Sequence, residues 1–313
     1  MKKLVLQGEI FGPLECSVSV DKFGKECLDE QKYLYSYRRL VGIPPLAMID
    51  DLFLMAGCGL ESVLLNAFIN AKTKTKKLQF GVDKCHKLHV GKECSFCPNL
   101  YIDQWKMKEV EQVEAGLTSQ EEYLDDEHLM ETTEEDKYLG DIIMNNGKNT
   151  KNIKARKDKG EGIRKQVITM LEDVCFGPYE FEVATIWRNS LFINSILTNS
   201  ETWYNLSKNE VEQLEQIDEH LLRSILETGR STPKVMLYLE MGCMPIRFIL
   251  MKRRILYLHY ILHQDKESLI FKVFQAQKSN PVHGYWCLTV DEDIKYLQLN
   301  LSLDQIWFMS ETP

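Results

Sequence analysis

Apolar residues recur at helical spacing over four long stretches in the second half of the chain. Residues three and four positions apart on a helix share one face, so this spacing predicts helices that each turn one face to a core. The predicted helices span residues 161–175, 182–197, 207–226 and 246–263. Ser207, followed by Glu210, predicts a capping box at the start of the third helix. The aromatic residues Trp187, Trp203 and Tyr204 are predicted to be core residues rather than platforms for nucleic-acid bases.

The first half of the chain alternates short apolar runs with turn-forming residues, which is typical of strands joined by tight connections. Pro44 and Pro45 precede one apolar run, and Asp50 and Asp51 separate it from a second run that ends at a Gly-Cys-Gly sequence. This pattern predicts a hairpin with acidic residues at its tip. Further predictions are a helix over residues 61–76, two strands around a turn over residues 78–91, and one strand over residues 136–144.

Charge is distributed unevenly along the chain. The net charge of -8 and the pI near 5.5 argue against a uniformly basic nucleic-acid-binding protein, whose affinity would come from neutralising phosphates. Glu and Asp dominate residues 109–136, whereas residues 72–92 and 148–165 are rich in Lys and Arg. We therefore expect an exposed acidic insertion and two basic segments. The second segment either follows a phosphate backbone or forms a solvated helix and loop face. Its candidate phosphate contacts are Lys154, Arg156, Lys157 and Arg164.

Length and composition favour a folded protein that does not act at a membrane. The 313 residues, 44% of them hydrophobic, suffice for one large core or two modest ones. No apolar run reaches the length of a membrane-spanning helix, and the N-terminal residues lack the pattern of a secretion signal. The nine cysteines are scattered, which favours a reducing compartment. We expect an intracellular location, in the cytoplasm, the nucleus or both.

The acidic pair Asp50 and Asp51 is the first candidate for chemistry. Two carboxylates close together in poorly solvated surroundings repel each other unless a cation compensates. Mg²⁺ prefers carboxylate oxygens and keeps waters and phosphate oxygens in its other positions, which suits phosphoryl or nucleotidyl transfer. The alternative, favoured by composition alone, is a solvated turn without a ligand, because Asp is a common turn residue.

A zinc site is a second hypothesis. Its possible ligands are Cys85, His89, Cys94 and Cys97, which lie close together in the sequence and include a Cys-x-x-Cys pair. The stronger signal for zinc would be a second unit of the same kind, and the upstream half of this cluster is irregular. Reduced thiols on a strand and in a loop are therefore the favoured interpretation.

Four motifs, in order, resemble those of reverse transcriptases. QGEIFGPL at residues 7–14 resembles their Gln-Gly...Pro-Leu segment, and AMIDD at residues 47–51 resembles their Tyr-x-Asp-Asp hairpin, with Met48 at the place of the usual aromatic residue. GVDKCHKLHVG resembles the Lys-bearing turn and strand that follow, and KYLGDII resembles the Tyr-Leu-Gly primer-grip strand. Two stretches between residues 195 and 262 look like the helical region that follows the palm in LINE-type, non-LTR retrotransposon proteins.

This resemblance implies an α+β fold with three parts. Residues 1–145 would form a partial polymerase palm, an antiparallel sheet with packed helices, with the acidic insertion near 109–136. Residues 146–264 would form a mainly α-helical thumb or connector. Residues 265–313, which show no clear period, would form a C-terminal tail or a small appended element.

The resemblance also implies the chemistry of an RNA-directed DNA polymerase. Its partners would be an RNA template, a DNA primer and deoxynucleoside triphosphates, and its cofactor would be Mg²⁺, bound by Asp50 and Asp51. Lys84 would lie near the nucleotide phosphates and help to protonate the leaving pyrophosphate. The residues that would contact nucleotide or primer are Gln7, Gly8, Leu139 and Gly140.

Two-metal catalysis in this family requires another Asp upstream of the Gln-Gly segment, and no acidic residue precedes Gln7 in this chain. The sequence therefore predicts a reverse-transcriptase fragment of retrotransposon origin that does not polymerise alone. One alternative is a non-catalytic module that binds nucleic acid or another partner. The other is a non-functional fragment that arises from a truncated gene model.

Overall fold

The structure is a computed structural model that describes residues 35–37, 41–48, 51–76, 80–90, 97–102, 129–173, 180–279 and 285–299. These residues form a mixed α+β fold in which helices predominate, which confirms the predicted fold class. The chain divides into two compact units, Met1–Asp136 and Lys137–Pro313.

Two antiparallel hairpins open the described part of the first unit. Strands β1 (Tyr35–Tyr37) and β2 (Val41–Ile43) form the first hairpin, in which Tyr35 pairs with Ile43. Strands β3 (Leu46–Met48) and β4 (Asp51–Phe53) form the second hairpin. The two prolines before β3 end the preceding strand, since proline has no backbone N–H to donate to a strand ladder.

Helix α1 (Gly59–Lys76) follows the second hairpin and confirms the helix predicted over residues 61–76. Its buried side chains Leu65, Phe68 and Ile69 are spaced as one helical face requires. They form an apolar cluster with residues that flank or lie in β4 and with one residue from the chain beyond the helix. These neighbours are Leu52, Leu54 and Phe80.

The rest of the first unit differs from its prediction. Of the two strands and the turn predicted over residues 78–91, the structure has the turn as a 3₁₀ turn (Val82–Lys84) and the second strand as β5 (His86–Leu88), whereas residues 78 and 79 lie outside the described residues. β5 pairs in parallel with β6 (Glu131–Thr133), whereas the expected palm sheet was antiparallel. β6 belongs to the acidic stretch that we expected to be an exposed insertion, so the end of that stretch is part of a strand pair. Residues 109–128 of the stretch lie outside the described residues.

The second unit is built mainly from helices. Strands β7 (Glu135–Tyr138) and β8 (Asp141–Met144) form the hairpin at which the second unit begins. The helices that follow are α2 (Thr150–Asp173), α3 (Glu180–Trp187), a π-helical segment (Arg188–Ile193), α4 (Asn194–Ile196), a 3₁₀ turn (Ser200–Thr202), α5 (Lys208–Ile225), α6 (Lys234–Glu240), α7 (Ile246–Leu262), α8 (Leu269–Ser279) and α9 (Trp286–Tyr296).

The four predicted helices are present, with changes at their ends. Helix α5 begins after the predicted capping box, because Ser207 Oγ accepts a hydrogen bond from the Glu210 backbone and the Glu210 carboxylate accepts one from the Ser207 backbone. Helix α2 starts eleven positions before the predicted residue 161. The region after residue 264, whose sequence shows no clear period, contains α8 over residues 269–279 and α9 over residues 286–296.

The main core of the second unit lies between α2, the π-helical segment, α5 and α7. Its fully buried side chains include Ile153, Phe192, Leu214 and Leu250. Gly160 brings α2 close to α4, since a Cβ atom at this position would lie 3.0 Å from Ile196 Cγ2. Trp203 is buried in this core and Trp187 packs against it, as predicted. Tyr204 is 40% exposed, so its assignment to the core was wrong.

Buried ion pairs connect helical segments of the second unit and add directional contacts to the apolar core. Arg188 Nε and Nη2 donate to the Asp218 carboxylate at 2.7 and 2.5 Å, and both side chains are almost fully buried. Tyr238 Oη donates to the same carboxylate at 3.2 Å. Arg254 pairs with Asp293 in the same bidentate way and joins α7 to α9. Each pair fixes the register of two elements, because a guanidinium and a carboxylate match in only a few orientations.

Removal of the Asp218 carboxylate tests the importance of the Arg188–Asp218 pair. We expect Asp218→Ala to lower the free energy of unfolding by about 3–5 kcal/mol, because the buried Arg188 charge would lose its partner. Urea unfolding followed by circular dichroism measures this loss. The matched control is Glu212→Ala on the same helix, whose carboxylate is more exposed and lies 3.8 Å from Lys208; it should cost no more than about 0.5 kcal/mol. Similar losses in both variants would contradict the assigned role.

Candidate functional site

The first candidate site is the hairpin that carries the Asp pair. Met48 pairs with Asp51, which leaves Ile49 and Asp50 between the paired strand ends. Asp51 begins β4 and its side chain is exposed, whereas Asp50 lies outside the described residues. The predicted hairpin is therefore confirmed, with Asp51 at the end where the chain reverses.

The packing of β4 determines which way Asp51 faces. Leu52 packs into the apolar cluster formed with α1. Since successive side chains of a strand point to opposite faces, Asp51 lies on the face away from that cluster. Its carboxylate is thus held on an ordered strand and remains open to solvent, which leaves its oxygens available to a hydrated cation.

Lys84 ends the 3₁₀ turn that precedes β5. Its backbone N–H donates to the Gly81 carbonyl at 3.0 Å, which closes the turn, and its side chain is exposed. The predicted turn with a lysine is present as a 3₁₀ turn, and residues 78 and 79 of the first predicted strand lie outside the described residues. An exposed ammonium on a short ordered turn can meet a phosphate from solvent.

The second candidate site is the turn between β7 and β8, formed by Leu139 and Gly140. We expected one strand over residues 136–144; the structure shows that the chain reverses at this dipeptide, so that expectation was wrong. Both residues have positive φ, 48° for Leu139 and 88° for Gly140. Two-residue hairpin turns of type I′ need positive φ at both positions, because this backbone twist suits the twist of the strands.

Leu139 is a strained residue in this turn. Glycine tolerates positive φ, but a side chain with a Cβ atom meets the following carbonyl oxygen there at a cost of about 1–2 kcal/mol. The leucine side chain is nevertheless 45% exposed, so burial at this position does not compensate fully for the strain. Something else in the unit must hold the turn.

Side chains from the helical part of the unit supply that restraint. Asn199 Nδ2 donates to the Leu139 carbonyl at 2.9 Å and to Asp141 Oδ2 at 3.0 Å. Arg156 Nη2 donates to the Gly140 carbonyl at 2.9 Å and to Asp141 Oδ1 at 2.8 Å. Asn152 Nδ2 donates to Asp141 Oδ1 at 3.0 Å. Both carbonyls of the turn and the adjacent carboxylate are therefore bound by α2 and by the segment after α4.

The burial of Arg156 overturns its assignment as a phosphate contact. Its side chain is almost inaccessible, its guanidinium is paired with Asp141, and its central carbon lies 5.8 Å from the centre of the Trp203 ring. A guanidinium held in this way cannot reach a nucleic-acid backbone. The residue is instead the inner anchor of the hairpin turn.

The other predicted phosphate contacts are more accessible. Lys154 is exposed and Lys157 is half-buried on α2. Arg164 donates to Glu161 at 2.9 Å and to Ser224 Oγ at 3.4 Å, so part of its donor capacity is used within the protein. Partial burial acts to raise the pKa of Glu161, but the hydrogen bonds and charges of Arg164 and His220 together outweigh it and hold that pKa below its ordinary value.

Within its described part, the structure does not bring the possible zinc ligands together into a site. Cys85 and His89 flank β5 and are half-buried, Cys97 is exposed, and Cys94 lies outside the described residues. No group of three His, Cys, Asp or Glu residues that could hold a metal ion occurs among the residues described. His86 has a partner of its own, since its Nδ1 lies 3.1 Å from Asp136 Oδ1.

Gln7 and Gly8, expected to lie near the nucleotide, fall outside the described residues. The sequence did not identify Asp141, Asn152 or Asn199 as parts of a site. A local signal existed for Asn199, because Asn tolerates the left-handed region better than most residues, and its φ is 61°. Its role as a donor to a turn sixty positions earlier had no local signal.

Polar side chains around the π-helical segment form hydrogen bonds to other groups of the protein. A cleft of about 610 Å³ beside this segment is lined by residues that include Arg188, Ser190 and Asn194. Arg188 is bound to Asp218, Ser190 Oγ donates to the Ile186 carbonyl, and Asn194 Oδ1 accepts from Arg253. We therefore retain the β3–β4 hairpin and the β7–β8 turn as two separate candidate sites, one in each unit.

No protein-family model matches the chain, and no curated protein or solved structure is significantly similar to it. Among the helices described, none combines the length and apolarity that crossing a bilayer requires.

Asp141 can be tested as the common acceptor of the turn network. We expect Asp141→Ala to lower the free energy of unfolding by about 2–3 kcal/mol, because Arg156, Asn152 and Asn199 would all lose an acceptor in a largely buried setting. Asp158→Ala removes an exposed carboxylate from α2 and should change stability by no more than about 0.5 kcal/mol. Urea denaturation of both variants measures the difference, and a loss at Asp141 no larger than at Asp158 would contradict the network.

Proposed function

We propose that the chain contains part of a reverse-transcriptase palm of LINE-type retrotransposon origin, followed by a helical thumb or connector. The observation that carries this proposal is the register of the β3–β4 hairpin, which puts the Ile-Asp connection between paired strands and Asp51 at the turn end. In the enzymes that this sequence resembles, the same position holds the metal-binding carboxylates. We infer that the intact enzyme of this type synthesises DNA on an RNA template.

Two further features support the proposal. Helix α1 follows the hairpin and packs against Leu52 of β4, so the strand that carries Asp51 is supported by an apolar cluster. The Lys-bearing turn is present as a turn, and the Leu-Gly dipeptide follows it in the order of the resemblance, although it lies at a hairpin turn rather than within one strand. Only the combination of the four motifs is specific, since each is common by itself.

The donor chemistry of the hairpin fits Mg²⁺. The Asp51 carboxylate is an exposed, hard oxygen donor, and Mg²⁺ keeps several waters while it binds one or two carboxylates. Asp50 and Asp51 would hold the ion, which supplies neutralisation of phosphate charge during nucleotidyl transfer. Lys84 would donate a proton toward the leaving pyrophosphate. Leu139 and Gly140 would contact the primer strand, and Lys154 and Lys157 the phosphate backbone.

Iron-mediated cleavage tests the metal site without requiring polymerisation. Fe²⁺ occupies Mg²⁺ sites, and with ascorbate and peroxide it generates radicals that cut the polypeptide close to the bound ion. We expect cuts near residue 50 that excess Mg²⁺ suppresses. The double substitution Asp50→Asn with Asp51→Asn should reduce the yield of these fragments about ten-fold, because it removes both anionic ligands.

The matched control is Asp83→Asn, which removes an exposed carboxylate from the 3₁₀ turn of the same unit. Its cleavage pattern should equal that of the unsubstituted chain. Cleavage that persists near residue 50 in the double variant, or an absence of cleavage there in the unsubstituted chain, would rule out the proposed metal site.

A non-catalytic nucleic-acid-binding module is the second candidate function, and the surface of α2 favours it. Lys151, Lys154 and Lys165 are exposed, whereas Ile153 and Val167 are buried in the core. The lysines form a stripe along one side of an ordered helix, interrupted by the exposed Asp158, in a chain whose net charge is negative. Such a stripe can bind phosphates with or without chemistry at the hairpin.

Charge reversal on α2 tests this stripe. We expect Lys151→Glu with Lys154→Glu to weaken binding of an RNA–DNA hybrid at least about ten-fold at 0.1 M salt and to reduce the slope of log affinity against log salt by about two. Filter binding over a salt series measures both quantities. Lys208→Glu with Lys252→Glu makes the same change in net charge at exposed positions outside α2. Equal weakening in the two double variants would show that only net charge matters.

A further inference from the structure

The cleft beside the π-helical segment has the size and the walls of a small-molecule site. Its volume is about 610 Å³, and ligand sites in proteins typically enclose about 300–1,000 Å³. Ile193 and Ile249 form part of its wall, together with Ile186 and Met244, whose side chains are 60% and 44% exposed. A ligand with an apolar body would cover this exposed apolar surface. π-Helical turns also occur frequently at functional sites.

Two asparagines that line the cleft are held in one orientation by arginines. Arg188 Nη1 donates to Asn189 Oδ1 at 3.1 Å, and Arg253 Nη2 donates to Asn194 Oδ1 at 2.8 Å. A guanidinium has donors only, so the amide oxygen must face the arginine and the amide NH₂ group remains available. Both asparagines are exposed, and neither NH₂ group donates to an acceptor within the described part of the protein. The cleft therefore offers two oriented N–H donor groups.

The charge of the cleft has the same sign as these donors. Lys252 of α7 lines it with an exposed ammonium, whereas the charge of Arg188 is balanced by Asp218. None of the described residues that line the cleft is acidic. Burial raises the pKa of the Cys243 thiol to about 11, so the thiol is neutral at neutral pH and adds no negative charge. One uncompensated positive charge remains, and it belongs to Lys252.

We propose that this cleft binds a small-molecule carboxylate with an apolar body. The carboxylate accepts hydrogen bonds from the NH₂ groups of Asn189 and Asn194 and pairs with Lys252, while the apolar body lies on Ile186 and Met244. Ser190 lends no donor to the ligand, because its hydroxyl donates to the Ile186 carbonyl.

The balance of charge selects a carboxylate over a phosphate. A carboxylate carries one negative charge, which Lys252 alone can neutralise, whereas a phosphate dianion would keep one charge without a partner in a partly apolar cleft. A ligand cation is disfavoured for the same reason, since it would meet an ammonium and no acidic residue among the described lining residues. The site is separate from the proposed polymerase and nucleic-acid-binding functions and does not rest on them.

A series of ligands with one apolar body tests the choice of headgroup. Isothermal titration calorimetry of the full chain at neutral pH compares decanoate, decanol and decylamine, each below the concentration at which it forms micelles. We expect decanoate to bind about ten-fold more tightly than decanol, because hydrogen bonds to a charged acceptor are about twice as strong as neutral ones. Decylamine should bind more weakly than decanol. Equal affinity for decanoate and decanol, or no binding of decanoate, would overturn the proposal.

Two substitutions test the assigned residues. Asn189→Asp keeps an oxygen for Arg188 but replaces the NH₂ group with a negatively charged acceptor, so it should weaken decanoate binding at least about ten-fold. Lys252→Met keeps an apolar stem and removes the ammonium. It should weaken decanoate binding about two- to five-fold, as expected for an exposed ion pair, and leave decanol binding unchanged. A merely structural role of Lys252 would affect both ligands alike, which would contradict its contact with the carboxylate.

The matched controls make the same changes of charge outside the cleft. Asn209→Asp lies in the first turn of α5 and Lys266→Met lies beyond the end of α7, both at exposed positions. Both should leave decanoate binding unchanged, and losses equal to those of the cleft variants would show that only net charge matters and refute the site. If Asn189→Asp does not fold, as thermal denaturation would show, the response of Lys252→Met to decanoate and decanol decides the proposal.

Discussion

The contact between the Arg156 guanidinium and Asp141 is the interaction on which the second unit's candidate site depends. It neutralises a buried cation, orients the guanidinium toward the Gly140 carbonyl, and ties the first hairpin of the unit to helix α2. A buried guanidinium without such a partner would cost several kcal/mol, so loss of the pair would destabilise the turn. The conformation of Leu139 is a consequence of this arrangement rather than of its own sequence preference.

Other arginines of the helical unit are also buried in pairs with aspartates. The unit therefore has two kinds of positive charge, buried arginines and exposed lysines. Arg188 and Arg254 are buried with Asp218 and Asp293, and each pair joins two separate elements. The planar guanidinium suits such bidentate contacts, whereas the lysine ammonium keeps its hydration and stays at the surface. The arginines that are buried therefore specify the packing, and the exposed lysines of α2 supply the charge that a nucleic acid would meet.

Local patterns predicted those parts of the fold that local contacts determine. The capping box at Ser207 and the apolar stripe of α5 lie within one helix, and the predicted ends of that helix are correct to within a residue or so. The first turns of α2 were missed because their buried face includes Arg156 and Gly160, which carry no apolar signal. The short helices α8 and α9 have about three turns each, too few for a clear period.

The candidate site shows the same division between local and distant contacts. The acidic hairpin was predictable, because prolines, apolar runs and a polar connection are neighbours in the sequence. The Leu139 turn was not, because the donor that fixes its first carbonyl is Asn199, sixty positions away. Arg156 lies in a basic segment, and nothing in that segment indicated that its side chain would be buried. It was therefore predicted to contact a phosphate, whereas its partner in the structure is Asp141.

The nucleic-acid surface proposed for the second unit combines a turn held by side-chain hydrogen bonds with the exposed lysines of α2. Hydrogen–deuterium exchange of the chain, alone and saturated with an RNA–DNA hybrid, tests this account most directly. The account predicts slow exchange of the Ile142 amide, which donates to Asn152 Oδ1 at 3.4 Å, before the hybrid is added, and further protection of this hairpin and the first half of α2 afterwards. Exchange of the Ile142 amide as fast as in an unfolded peptide, or no change in these segments at saturation, would contradict it.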